Sequence, residues 1–407
     1  MNTSPAMKGI STAQQSRHWT GPAVFSFGFR PFFLAGALYS AVVIAVWVPW
    51  YLGHIALPTD WPPVAWHAHE LLFGYGPAII AGFLLTAVPN WTGRLPVVGW
   101  PLAGLFALWL LGRLAVSTSA WLGAGLTATA AMAFLVALAL VIGREIAAGR
   151  NWRNLKVLIL VGILIAAQAI ALRETALTGS STYGVRLAIG AIIVLIALIG
   201  GRIVPSFTRN WLKHRGADRM PAPFSRFDLA VVLASAVALA AWTLIPDPEA
   251  ARAWISALLG AAAILQGVRL ARWRPLATGA EPLVAILHIG YAFIPLGFAL
   301  AAVAAWRGDP ALDAAAIHAW TAGAIGTMTL AVMTRATRGH TGRPLAADGA
   351  TVLIYAGVVL AALTRILAAL LPAFSGWLLS ASAALWVIAF GGFAIIYGPM
   401  LVRRAPR

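Results

Sequence analysis

The sequence of 407 residues predicts an all-α, polytopic membrane protein of about twelve transmembrane helices with both termini cytoplasmic. Three observations carry that reading. Hydrophobic residues make up 61% of the chain and charged residues only 10%, where a soluble domain carries roughly 25% charged. Apolar runs long enough to cross a bilayer, about 20 residues each, recur from end to end. The basic residues fall mostly on one side of the resulting weave, as the positive-inside rule requires of cytoplasmic loops.

The spans are expected near 32–52, 69–90, 97–116, 120–142, 155–172, 185–205, 227–245, 252–270, 283–305, 314–334, 350–371 and 376–401. The first follows Arg30 and Pro31. The second opens on His67, His69 and Glu70 and closes on Pro89, Asn90 and Trp91. The third and fourth lie close together, and the fifth is short. The sixth closes on Val204 and Pro205, and the longest connection, about 206–226, follows it. Residues 1–30 form a polar cytoplasmic tail, and 31–407 a single membrane domain. No cleaved leader is expected, because the first apolar run begins only at Phe32, is about twenty residues long and lacks a small-residue cleavage pattern.

Of the 29 Lys and Arg, all but Arg113, Arg173, Arg186, Arg252, Arg307 and Arg365 fall on the side of the termini. The net charge of +17 is therefore a topology signal rather than a nucleic-acid footprint. Trp50, Trp66, Trp91, Trp152, Trp211, Trp273 and Trp306 sit at span ends, as an interfacial belt requires. Cysteine is absent, which excludes disulfides, thiolate metal sites, Fe–S clusters and a covalently attached c-type haem. Any transition metal must be held by His, Met, carboxylate or carbonyl oxygen.

A weak repeat is visible. Val88-Pro89-Asn90-Trp91-Thr92 closes the second span and Val204-Pro205-Ser206-Phe207-Thr208 the sixth; Val332 to Arg338 closes the tenth more loosely. The spacing of four spans suits a pseudo-threefold array of four-helix units.

Ionisable groups at membrane depth are functional candidates by default. His67, His69 and Glu70 lie at the outer end of the second span and His318 near the outer end of the tenth. On a helix, residues two apart differ by about 200° in azimuth, so His67 and His69 would face opposite ways. They would then serve different centres, or one would be a ligand and the other a hydrogen-bonding group. If both precede the first helical turn, both could reach one metal. His67 and Glu70, three apart, would share a face, which makes Glu70 a candidate ligand, imidazole partner or catalytic proton carrier. Interfacial histidines that are merely solvated are the plainer alternative. At the inner end, His288, His340, Arg335 and Arg338 form a second candidate set, an anion or haem-propionate clamp with an axial histidine; helix-end carbonyls bonded by arginine are the plainer account. His318 and His340 are separated by about 33 Å of helix, so they cannot share one metal. Arg113 and Arg365 stand isolated at the outer ends of their spans, where snorkelling to water is the ordinary expectation.

Gly28-Phe29-Arg30-Pro31-Phe32-Phe33, the stretch from Trp66 to Gly74, Ala87 to Arg94, Gly200 to Thr208 and the run from His318 through Thr334-Arg335-Ala336-Thr337-Arg338-Gly339-His340-Thr341-Gly342-Arg343-Pro344 resemble the NnrS family. The resemblance implies a bacterial inner-membrane protein containing haem and copper and linked to nitric oxide, in nitrosative-stress defence or denitrification. It assigns no ligand set. Twelve helices and a His-x-His are also similar to haem–copper oxidases and their nitric oxide reductase relatives, but the chain has neither His-x-x-x-Tyr-His nor an adjacent His pair.

The expectation is a non-covalent b-type haem, with copper as a second metal, and an activity that binds or reduces nitric oxide or a related small molecule. His67, His69 and His318 are the outer metal ligands, Glu70 the proton donor, and His288, His340, Arg335 and Arg338 the inner cofactor set. Reduction would need an electron donor. The other two readings are a transporter for a small anion or metal complex, and a protein that sequesters metal or nitric oxide without catalysis.

Overall fold

The computed structural model describes residues 19–94, 96–245 and 249–404; Lys8, Arg17, His18 and Arg407 lie outside them. Among the described residues, twelve helices are long and apolar enough to span a bilayer. They are α1 (Phe29–Tyr51), α2 (Pro63–Thr92), α3 (Trp100–Ser117), α4 (Ser119–Ala148), α5 (Trp152–Thr178) and α6 (Tyr183–His214). They continue as α7 (Arg226–Leu244), α8 (Glu249–Ala271), α9 (Pro282–Arg307), α10 (Pro310–His340), α11 (Gly349–Leu370) and α12 (Pro372–Val402). The chain is a multi-pass membrane protein.

Two boundaries differ from hydropathy in a way that matters. The second span begins at Pro63, not near residue 69, because a proline in the first turn is preorganised for a helix and lacks only an N–H that would be unbonded anyway. The tenth begins at Pro310 for the same reason, with the Asp309 carboxylate accepting from the N–H groups of Ala311 and Leu312. His67, His69 and His318 therefore sit within helices, and the alternative in which the first two precede the helix is removed. The sixth span runs through Pro205 to His214, so the connection expected over 206–226 is shortened.

Each helix packs on its neighbours in sequence, and α12 returns to α1, closing a ring. Arg30 fastens that closure by donating to the carbonyls of Leu401 (2.9 Å) and Arg403 (2.8 Å). Inside the ring lie α2, α6 and α10, the most buried spans at 78%, 67% and 67%. They are four spans apart, the spacing of the weak repeat. The likeness is incomplete. Both α2 and α10 widen into a π-helical stretch, at Glu70–Tyr75 and Ala319–Gly326, whereas α6 is α-helical throughout its length. Each π stretch begins immediately after a candidate histidine, His69 in α2 and His318 in α10, and such turns are frequent at functional sites.

Candidate metal centre

The imidazole lone pairs are set by the first two turns of α2 and the third turn of α10. His67 and His318 line one cavity of about 70 Å³, enclosed also by α1, α11 and α12. The His318 Nδ1 lies 2.7 Å from the Ala314 carbonyl, one turn back. A carbonyl accepts only, so Nδ1 carries the proton and the Nε2 lone pair is left free; a second partner of this kind fixes the tautomer of a metal-binding imidazole. The His67 ring stacks on Trp47 with centroids 4.0 Å apart, and its Nδ1 is buried without a hydrogen-bond partner. Buried polar atoms are rarely left unbonded. Arg365 opens onto the same cavity and is partly exposed.

His69 faces the other way. It is buried, and its Nδ1 lies 2.7 Å from Glu70 Oε1. The same oxygen accepts from Arg113 Nη1 at 2.7 Å, while Tyr39 donates its hydroxyl to Glu70 Oε2. Gln168 Nε2 approaches His69 Nε2 at 3.4 Å and donates to the Ala131 carbonyl at 3.1 Å. Glu70 therefore belongs with His69, not on the face of His67, and Arg113 is paired rather than isolated. Three donors converge on Glu70 from α1, α2 and α3, and the π stretch that starts there is what lets its side chain meet them. Gly74 keeps that approach open: a Cβ there would stand 2.6 Å from Arg113 Nη1.

Among the described residues, no three His, Cys, Asp or Glu side chains converge as a metal site. The outer set expected as three histidines is thus divided into His67 and His318, which line one cavity, and a hydrogen-bonded His69.

The inner set is divided too. His288 is buried on α9, with Nε2 2.9 Å from the Thr208 hydroxyl and Nδ1 unpartnered. His340 lies at the C-terminal end of α10, its ring 5.3 Å from that of Phe29. Arg335 rests over the Phe207 ring at 3.9 Å. Arg338 turns outward to Asp348 (3.1 Å) and the Pro344 carbonyl (3.0 Å). His340 and Arg335 share a cavity of about 440 Å³ at the basic end, walled by Phe29, Phe33, Phe83 and Phe207 with Asn90 and Asn210 on its lining. His288 and Arg338 do not line it.

One buried cluster escaped the sequence reading. Arg269, counted there among surface cations, is wholly buried. It donates to Asp228 Oδ1 (3.0 Å), the Ala197 carbonyl (2.9 Å) and the Tyr291 hydroxyl (2.8 Å), and Tyr291 donates to Gln266 (2.7 Å). The available signal was Asp228 in the first turn of α7 and Arg269 in the last turn of α8, which antiparallel packing brings to one depth.

The family model described as NnrS protein matches residues 23–404. No curated protein matches the chain.

Proposed function

The chain belongs to the NnrS family, and from that premise we propose a bacterial inner-membrane metalloprotein that binds nitric oxide at a metal ion held between His67 and His318. The observation that carries the reading is the His318 imidazole, whose Nδ1 is committed to the Ala314 carbonyl while Nε2 stays free, on a cavity it shares with His67. Two neutral nitrogen ligands and no thiolate suit copper among the borderline metals. The Arg365 guanidinium on the same cavity makes a monovalent ion less costly to hold than a divalent one. Two ligands leave positions open, which binding of a diatomic needs.

The donor sets and the space of the two cavities support one placement for a haem. A cavity of about 70 Å³ takes an ion and a small ligand; drug-sized ligands occupy roughly 300–1,000 Å³. The cavity of about 440 Å³ at the basic end reaches that range, and there His340 would offer an imidazole nitrogen, Arg335 a partner for a carboxylate and the aromatic walls an apolar surface to a haem. A b-type haem bound there would supply a redox centre. Reduction of two nitric oxide molecules to nitrous oxide and water takes two electrons and two protons, with the electrons from a separate donor. In this reading Glu70, bonded to three donors, positions His69 and Arg113 and does not reach the metal.

A carrier for anions is disfavoured by the apolar stretch between the two cavities. Metal content and an optical spectrum on the purified protein and on His67→Ala, His318→Ala and His69→Ala test the proposal. One ion per chain should be lost from the first two variants and kept in the third. A wild-type protein with no bound metal and no haem absorption would sink it.

A further inference from the structure

Between the two cavities, on the axis of the bundle, lies a third of about 80 Å³, bounded by the inner faces of α2, α6 and α10. Its walls are almost wholly aliphatic. The lone side chain there with a polar atom suited to water is Thr329, whose hydroxyl is already engaged with the Tyr75 hydroxyl at 2.5 Å and the Ile325 carbonyl at 2.6 Å. Water in a cavity needs two to four polar partners, and apolar cavities stay dry and accept small apolar guests. Glycine supplies part of the space, since Gly76 and Gly200 both face it.

The chamber is joined to both neighbours. Ile325 lines it and also the cavity of His67 and His318. Phe83, Ile203 and Val332 line it and also the large cavity at the basic end. The wall towards the imidazole pair is one isoleucine beside the Tyr75–Thr329 hydrogen bond, and it belongs to the π stretch of α10, where side-chain azimuth departs from α-helical spacing.

We propose that this chamber holds a small uncharged molecule, of the size of a diatomic gas, and passes it across Ile325 to the imidazole pair. A hydrated ion finds no partner in the chamber, since transferring a charge into such surroundings is prohibitive. The chamber therefore selects by polarity before any metal selects by coordination. Its existence as a gas site does not depend on the metal assignment, whereas delivery to the pair rests on the function proposed above, and the experiment separates the two.

The full-length protein is crystallised or frozen under xenon pressure, alone and as Ile196→Trp, which fills the chamber from α6. Xenon is expected in the chamber of the wild type and absent from the variant. An empty chamber, or an acyl chain within it, would overturn the gas site whatever the metal content. The milder Ile199→Phe serves if the tryptophan variant fails to fold, and should lower xenon occupancy. Delivery is read separately as the rate of nitric oxide binding to the metal-loaded protein. Ile196→Trp, at a position that lines the chamber and not the cavity of the imidazole pair, should slow it at least tenfold while metal content stays at the wild-type level; an unchanged rate in folded, metal-loaded protein would overturn the passage.

Discussion

Replacing Arg113 by methionine leaves the Glu70 carboxylate fully buried with only His69 and Tyr39 as donors. The geometry sets the magnitude. Glu70 and Arg113 are 0% and 2% exposed and meet at 2.7 Å, so neither charge recovers hydration when the other is removed. Breaking a buried pair from one side costs about 3–5 kcal/mol, and Glu70→Leu should cost a similar amount by stranding the guanidinium. Removing both together strands nothing. The double variant Glu70→Leu/Arg113→Met should therefore be within about 2 kcal/mol of wild type, since apolar replacements of buried pairs are often near neutral. The assay is a double-mutant cycle, with unfolding of the purified protein followed in mixed micelles of rising denaturing-detergent content. A double variant whose loss equals the sum of the two single losses would refute the reasoning, because the pair would then contribute no coupling.

Three further outcomes follow from other contacts. Gly201→Ala would put a Cβ 1.9 Å from Arg269 Nη2, forcing the guanidinium off Asp228, Ala197 and Tyr291, and should lose about 3 kcal/mol in the same assay; an unchanged midpoint would show that the cluster can shift freely. Trp47→Leu removes the ring stacked on His67 and should weaken metal binding about 10–100-fold with full loading at saturation, measured by titration against a chelator. Asp348, at the N-cap of α11, is held down at about 2 by the hydroxyl and N–H of Thr351 and by Arg338. Because its folded value lies below the ordinary one, it stabilises the fold above that ordinary range and loses the contribution as pH falls through about 2. Solvent exposure of half the side chain limits the gain to about 1 kcal/mol or less, and Asp348→Asn should flatten the stability profile between about pH 4 and pH 2.

Hydropathy and the placement of arginines were enough to give the twelve spans, since a bilayer imposes both directly on the sequence. Helix starts were less legible: polar turns such as His67-Ala68-His69-Glu70 lower hydropathy without ending the helix that Pro63 begins. At the site, depth singled out His67, His69 and His318 together, because all three lie near the same ends of their spans. Depth says nothing of azimuth between helices four or eight spans apart, so the partnership of Glu70 with Arg113 and the presence of Arg365 beside the histidines were hidden. Arg269 was misplaced by the same logic that placed the spans, because a basic residue at an inner helix end is normally a topology signal. The π stretches leave no mark in composition.

Those two stretches have a consequence for how the protein tolerates change. A π turn holds an extra residue relative to the α-helix around it. Losing one residue between Glu70 and Tyr75 would let the turn relax to α spacing with little rotation of the segment above, whereas losing one from the α-helical part of the span would turn that segment by about 100° and carry His67 out of its cavity. The two π turns are therefore where these spans can change length by one residue and still keep their histidines in phase, a tolerance that substitution scanning cannot see.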